Sequence, residues 1–564
     1  MTAHGASRAP ALGAAVEAFL QWYYRHQPVT ATFIGVHEAD HRLPDFAEAA
    51  TEQALSAVDS LLRQFRSLPD EPRTDTEALD GTVAQGALDV LRWELQSDHF
   101  HRGNPCVYTS EAIFGVLALF LRPFAPLAQR AEAARARLLA IPDFLAQGRR
   151  NVRRAPSAWT ERAIRECRGA LAFLERGLGQ LMRDEHLHDP RLLDAAAAAA
   201  AAFRRHRVYL ETELLKQSHH GYACGADALD LLLRRGHFLD MDAADVEAMA
   251  EDALQRALEA RRSAARVLGA ASWQEAMTWV EDRHPPVERY YARYTQVWEE
   301  ARAVALAHRL VSWPDYPLRF VPQPAWAREA APDLYFLSYR APAAFDTIPV
   351  VDYLVNPVEP DMPPDEQRRR LRAANESAIK LNHVVHHAGL GHHVQNWYAY
   401  HRTASRIGQI AAADCASRIA LFCGGTMAEG WACYATDLME EVGFFDPLDR
   451  LALAHTRVRM AARAAVDVRL HTGRWSIADA VACYRDQAGM APEAARAEAV
   501  RNSLFPGTAL MYLVGNELIH RLRRQLAGQP GFDLCRFHDR FLSYGSLPVS
   551  LISRAMTDQP PLPG

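Results

Sequence analysis

Across residues 12–280, apolar side chains recur at spacings of three and four among Ala, Leu, Arg and Glu, which predicts a succession of amphipathic helices. Two stretches interrupt the pattern and are predicted as loops: 27–45, with Pro28, Gly35 and Pro44, and 101–110, around Gly103 and Pro105. The eight alanines at 195–202 predict helix, because alanine is the best helix former. Between about His284 and Pro364 prolines and aromatics crowd together in WPDYPLRFVPQPAW, LYFLSYRAP and TIPVVDYLVNP, short β-rich runs that read as edge strands and loops. From Asp365 the helical pattern resumes almost to the C-terminus, with a break predicted at Phe505-Pro506-Gly507. The pattern therefore divides the chain into a helical N-terminal lobe (1–280), a Pro/aromatic-rich segment with short strands (281–364) and a second helical lobe (365–564).

Composition narrows the function. The chain has 564 residues, 49% apolar and 23% charged, with Lys+Arg 63 against Asp+Glu 68. This is a globular composition near neutrality, which sets aside collagen-like, disordered and strongly nucleic-acid-binding classes. Lys216 and Lys380 are the only lysines and neither follows a glycine, so a Walker A phosphate loop is absent. A Schiff-base enzyme would have to use one of those two. The N-terminus has no basic start followed by a long apolar stretch, which reads as cytoplasmic. The longest uncharged apolar run, 112–121, is half of the ~20 residues a spanning helix needs, so no membrane partner is expected. The eight cysteines contain no CxxC pair and read as buried thiols. Nothing in the pattern fixes an oligomeric state.

The candidate chemistry lies in NHVVHHAGLGHHVQ, where His383, His386, His387, His392 and His393 fall within 11 residues. At the chain-wide frequency about 0.5 histidine would be expected there. Imidazole is the commonest protein ligand for transition metals, so the cluster points to a metal or to catalysis. On a straight helix His383 and His387 share a face, whereas His386 and His392 are six apart and converge only if the helix is broken. Gly389 and Gly391 lie between them and permit such a break. Both pairings stay open. About 40 residues on, Glu429 in TMAEGW offers a carboxylate among apolar neighbours, and two His with one Glu is a common catalytic zinc set.

These motifs resemble the bacterial family known as domain of unknown function 885, whose members resemble helical zinc-dependent peptidases. Its pattern is His-Glu-x-x-Pro-Gly-His-His-x-Gln followed by Glu-Gly-Trp-x-x-Tyr. Here the first reads His386-His387-Ala388-Gly389-Leu390-Gly391-His392-His393-Val394-Gln395 and the second Glu429-Gly430-Trp431-Ala432-Cys433-Tyr434. Similar matches are Pro28 to Ala31 with Gly35, Leu43-Pro44-Asp45, Asp467 with His471, Phe505-Pro506-Gly507 with Tyr512 and Gly515, and Phe537-His538 with Gly545 to Pro548. The resemblance implies a large, mainly α, zincin-like fold with a small antiparallel β-sheet beside a deep cleft. It implies one divalent metal ion, zinc by the donor set, on His386, His392 and Glu429, with Tyr512 and His538 holding the developing oxyanion. The substrate would be a peptide or small amide, its extended backbone pairing with the segment 334–357.

The chain departs from that pattern where it matters chemically: His387 replaces the glutamate that serves a zinc peptidase as general base, and Leu390 replaces the proline. Three consequences stand side by side. His387 acts as the base in a metal-dependent hydrolase. Alternatively His387 and His383, with His393 in reserve, join the ligands in a histidine-rich, non-hydrolytic site for zinc, iron, manganese or copper. Or the chain binds peptides without turning them over. Arg463, Asp467 and His471 share one helical face, and with Gln395 the last two are expected to orient the ligands from behind or to form ordinary structural pairs.

Overall fold

In the computed structural model of the chain, residues 9–68, 76–219, 221–334 and 342–557 are described. Helices make up nearly all the regular structure, and two five-residue strands form the one sheet among the described residues. The mainly α expectation holds. The 195–202 alanines lie inside the helix Pro190–Thr212, where Ala195, Ala199 and Ala202 are buried, and no described helix is long and apolar enough to cross a membrane.

Backbone contacts gather the chain into two compact units that interleave along the sequence. One comprises residues 1–222, 323–349 and 413–422, the other 223–322, 350–412 and 423–564. This division differs from three consecutive parts at 1–280, 281–364 and 365–564. The first unit is built on long helices around Phe19, Tyr23, Phe114, Trp159 and Phe173. The second has the helices Ala243–Val267 and Pro447–His471 at its centre, with Leu233, Val246, Ala465, Val468 and Val514 among the core residues.

Three local expectations need correction. Pro28–Ile34 is a helix, not a loop, started by a proline at its first position and closed by Gly35 at φ 95°; proline fits the first helical turn because that N–H has no partner anyway. Pro105 likewise opens the helix Pro105–Leu121, capped by the Asn104 side chain on the Cys106 amide. The sheet is parallel, not antiparallel: β1 (Leu318–Pro322) pairs with β2 (Val351–Val355), Leu318 opposite Val351 and Pro322 opposite Val355. The reason lies in the connection: the strands are joined by residues 323–350, long enough for the crossover that parallel pairing requires. Residues 335–341 (YFLSYRA), and with them part of the expected 334–357 substrate strand, lie outside the described residues. The predicted break at Phe505-Pro506-Gly507 is present, between the helices Pro492–Leu504 and Met511–Ala527.

Candidate metal centre

The histidine motif folds as two helical pieces. Residues Ile379–Ala388 form a π-helix, the chain turns through Gly389, Leu390 and Gly391, and His392 opens the helix His392–His401. π-Helical turns are uncommon and concentrate at functional sites. The turn depends on Gly391, where a Cβ would lie 1.9 Å from the His386 carbonyl oxygen, so only a residue without one fits. The glycine is needed for close approach, since its φ is −72°. Two indoles satisfy the carbonyls that the break exposes: Trp298 Nε1 donates to Ala388 O and Trp431 Nε1 to Leu390 O, each at 2.8 Å.

Glu429 enters from the helix Gly425–Glu441. That helix meets Met511–Ala527 at Gly430 and Gly515, where a Cβ on Gly515 would stand 2.0 Å from Thr426 O and one on Gly430 2.6 Å from Gly515 Cα. Two facing glycines thus bring Glu429 and Tyr512 onto neighbouring backbones.

The break brings His386 and His392 together, the pairing that a straight helix forbids. Glu429 Oε2 lies 3.2 Å from His386 Nε2 and 3.5 Å from His392 Nε2, with all three side chains largely buried. His387 joins them: one ligand nitrogen from each of His386, His387 and His392 falls within 4.8 Å of the others. Its Nδ1 lies 2.7 Å from Asn382 O. A carbonyl only accepts, so Nδ1 carries the proton and Nε2 the lone pair.

The donor set suits a divalent ion. Ligands bonded at about 2.0–2.1 Å around a tetrahedral centre lie roughly 3.3–3.4 Å apart, close to the two separations from Glu429. Protonation states agree as well. Burial holds the His386 imidazole below its ordinary value although Glu429 opposes it, and burial with the neighbouring imidazoles holds His387 well below. Burial alone would raise the Glu429 carboxyl, but its contacts with His386 and His392 keep it well below the usual range. Neutral imidazoles and an ionised carboxylate are the forms a metal requires.

The other candidates are placed apart from this cluster. His383 Nδ1 meets the Tyr353 hydroxyl of β2 at 2.8 Å, and the buried His393 puts Nε2 2.7 Å from Tyr316 O and stacks on that ring. Neither belongs to the group formed by His386, His387 and His392. His538 is fully buried, with Nδ1 on Leu310 O and Nε2 on the Tyr434 hydroxyl. Both of its ring nitrogens are thus engaged within the core. Gln395 donates to Ser546 Oγ, Asp467 accepts the Gly507 and Leu510 amides, and His471 Nε2 meets Asn502 O. These contacts hold the scaffold. Arg463 does not pair with Asp467; it binds Glu498 at 2.6 Å and lies over the Tyr512 ring at 4.7 Å.

Tyr512 and His386 line the same cavity, of about 420 Å³. Sequence reasoning missed the cavity's other polar residues, among them Asp437, Arg457, Asn516 and His520. Asp437 lies eight residues after Glu429, and Asn516 and His520 lie four and eight after Tyr512, a helical spacing that is visible only once those two are known to share a site.

Two solved structures share this fold. "The structure of a putative lipoprotein of unknown function from Shewanella oneidensis" is 22% identical with a TM-score of 0.77, and the match covers 97% of this chain and 99% of that one. "The crystal structure of the putative lipoprotein from Colwellia psychrerythraea" is 17% identical with a TM-score of 0.78 and the same coverage. No curated protein matches the sequence. The family described as "Bacterial protein of unknown function (DUF885)" matches residues 28–556. The match extends over nearly the whole chain, so the protein belongs to the DUF885 family.

Proposed function

We propose that the protein is a metal-dependent hydrolase of a peptide or small amide, with one divalent ion, zinc by its donor set, on His386, His392 and Glu429. The observation that carries this reading is the convergence of two imidazole nitrogens on one carboxylate oxygen at 3.2 and 3.5 Å. A divalent ion at such a site polarises a carbonyl and makes water a nucleophile near neutral pH. His387 stands beside the same point, its ring oriented by the Nδ1–Asn382 O contact, and takes the role of proton acceptor in this reading. Tyr512, held under Arg463, donates its hydroxyl proton to the developing oxyanion.

The test is elemental analysis of the purified protein beside His386→Ala and Glu429→Ala, followed by a panel of peptide and amide substrates. About one zinc per chain, lost in both variants, with turnover of an amide, is expected. No metal at any loading would leave a peptide-binding protein. The mutual approach of three imidazoles favours one second reading, in which His387 is a fourth ligand and the reaction is not hydrolysis. Iron, manganese or copper in the native protein would support it. Two locations are weighed: the cytoplasm, as expected above, and the cell envelope, which the description of both structural neighbours as lipoproteins favours. Cell fractionation separates them.

A further inference from the structure

The π-helix that carries the histidines has to be held by the rest of the fold, because a ladder of i→i+5 bonds is rare and seldom extends beyond a single turn. It also rotates more slowly along the chain than an α-ladder, since each turn encloses more residues. Over the ten residues Ile379–Ala388 the choice of ladder therefore decides where His386 points relative to Lys380. With both ends fixed, one ladder alone joins them and leaves His386 facing Glu429.

The C-terminal end is fixed by Trp298 on the Ala388 carbonyl, by Trp431 on the Leu390 carbonyl and by the Gly391 amide on Val385 O at 2.9 Å. The N-terminal end is fixed by Asp449. Its side chain is fully buried at the third position of the helix Pro447–His471, where it closes a reciprocal cap with Asp446. One oxygen accepts from Ser377 Oγ at 2.6 Å and from Arg283, the other from Lys380 Nζ at 2.7 Å. Arg283 also donates to Ser377 Oγ at 2.9 Å, and its carbonyl accepts the Glu376 amide at 2.9 Å. Lys380, one of two lysines in the chain, is largely buried, its ammonium 5.2 Å from the centre of the Phe444 ring. Charge-assisted bonds of this kind are strong, and breaking a buried pair leaves an uncompensated charge. Residues 377 and 380 therefore cannot rotate about the helix axis without a large loss.

Building on the metal reading above, we infer that Asp449 is a positioning residue for the metal centre: its grip on Ser377 and Lys380 sets the register of the π-helix, and that register brings His386 and His387 up to His392 and Glu429.

The experiment compares the native chain with Asp449→Asn, which keeps the shape and loses the charge, and with Val458→Ala, a core substitution on the same helix that leaves the grip intact. Thermal unfolding is recorded for each, and zinc affinity is measured by chelator competition at a temperature where all three are folded. Zinc is expected to bind Asp449→Asn at least about tenfold more weakly than the native chain, as loss of a group that orients ligands does. Val458→Ala is expected to stay within about twofold of the native affinity. Lys380→Met keeps its stem on Phe444 and leaves Arg283 on the carboxylate; it is expected to lose at least about threefold and is read in place of Asp449→Asn if that variant does not fold. Hydrogen exchange of the metal-free proteins gives a second reading: peptides within 379–391 should exchange at least about tenfold faster in the variant, with those of Met511–Ala527 unchanged. Native zinc affinity in the folded variant, an equal loss in Val458→Ala, or unaltered exchange over 379–391 would each overturn the inference. A native chain that binds no zinc would overturn the metal reading, and the exchange of 379–391 would then decide by itself whether Asp449 sets the register.

Discussion

The role proposed for His387, whose ring lies beside those of His386 and His392, has a measurable consequence. If His387 is the proton acceptor, His387→Ala retains close to one metal ion per chain and loses activity by about 10²–10⁴-fold, the usual worth of a general base. If it is a ligand, metal affinity falls with the side chain. His387→Glu, which places a carboxylate base at this position, is expected to raise amide hydrolysis above that of His387→Ala at unchanged metal content; equal rates in the two would remove the base role from this position. Tyr512→Phe is expected to keep the metal and lower kcat by about 10²–10³-fold, as loss of one oxyanion donor does. An unchanged kcat would take Tyr512 out of the chemistry.

At the scale of elements, the site is made by a break and by a tether. The break requires Gly391: in Gly391→Ala the added Cβ would overlap the His386 carbonyl, and the turn must open, at a cost of about 3 kcal/mol or more. Denaturant unfolding should show that loss together with weakened metal binding, because His386 and His392 would no longer converge. The tether is Asp467, whose carboxylate accepts the Gly507 and Leu510 amides and so fixes the start of the helix that carries Tyr512. Burial raises this carboxyl to about 7 even though the amides of Leu510, Gly507 and Ala509 oppose the shift. Asp467→Ala would leave those buried amides without their acceptor and is expected to cost about 2–4 kcal/mol. The periodicity of the sequence predicted both helices and the gap at 505–507, but not that a carboxylate 40 residues away closes that gap.

At the scale of the whole molecule, stability should carry a pH signature from the unit formed by residues 1–222, 323–349 and 413–422. His37 Nδ1 contacts Asp40 at 2.9 Å and its Nε2 contacts Asp346 at 2.8 Å, while Arg122 binds the other Asp346 oxygen at 3.0 Å. Burial pulls His37 down, but the hydrogen bonds from Asp346 and Asp40 prevail and raise it to about 9. Because the folded value lies above the unfolded one, the stabilisation is complete below about pH 6.5 and disappears as pH rises through about 9. The shift caps the effect at roughly 3 kcal/mol; His37 keeps 27% of its side chain exposed, so screening leaves about 1–2 kcal/mol. Thermal unfolding at pH 6 and pH 9.5 should show this loss in the native sequence and little of it in His37→Gln. An equal loss in both would refute the assignment.

The sequence by itself determined what depends on neighbours along the chain. Spacings of three and four settled the helical class, and the crowd of histidines with Gly389 and Gly391 located the candidate site. Strand direction, the composition of the two units, and which histidines meet were decided in three dimensions. His383 and His393 lie in the same motif as His386, yet Tyr353 and Tyr316 draw them elsewhere. His538 shares a motif with the family pattern, but Leu310 and Tyr434 bind both its nitrogens. Periodicity reports which face of a helix is buried; what that face meets depends on segments hundreds of residues away, brought together by packing that no local pattern encodes.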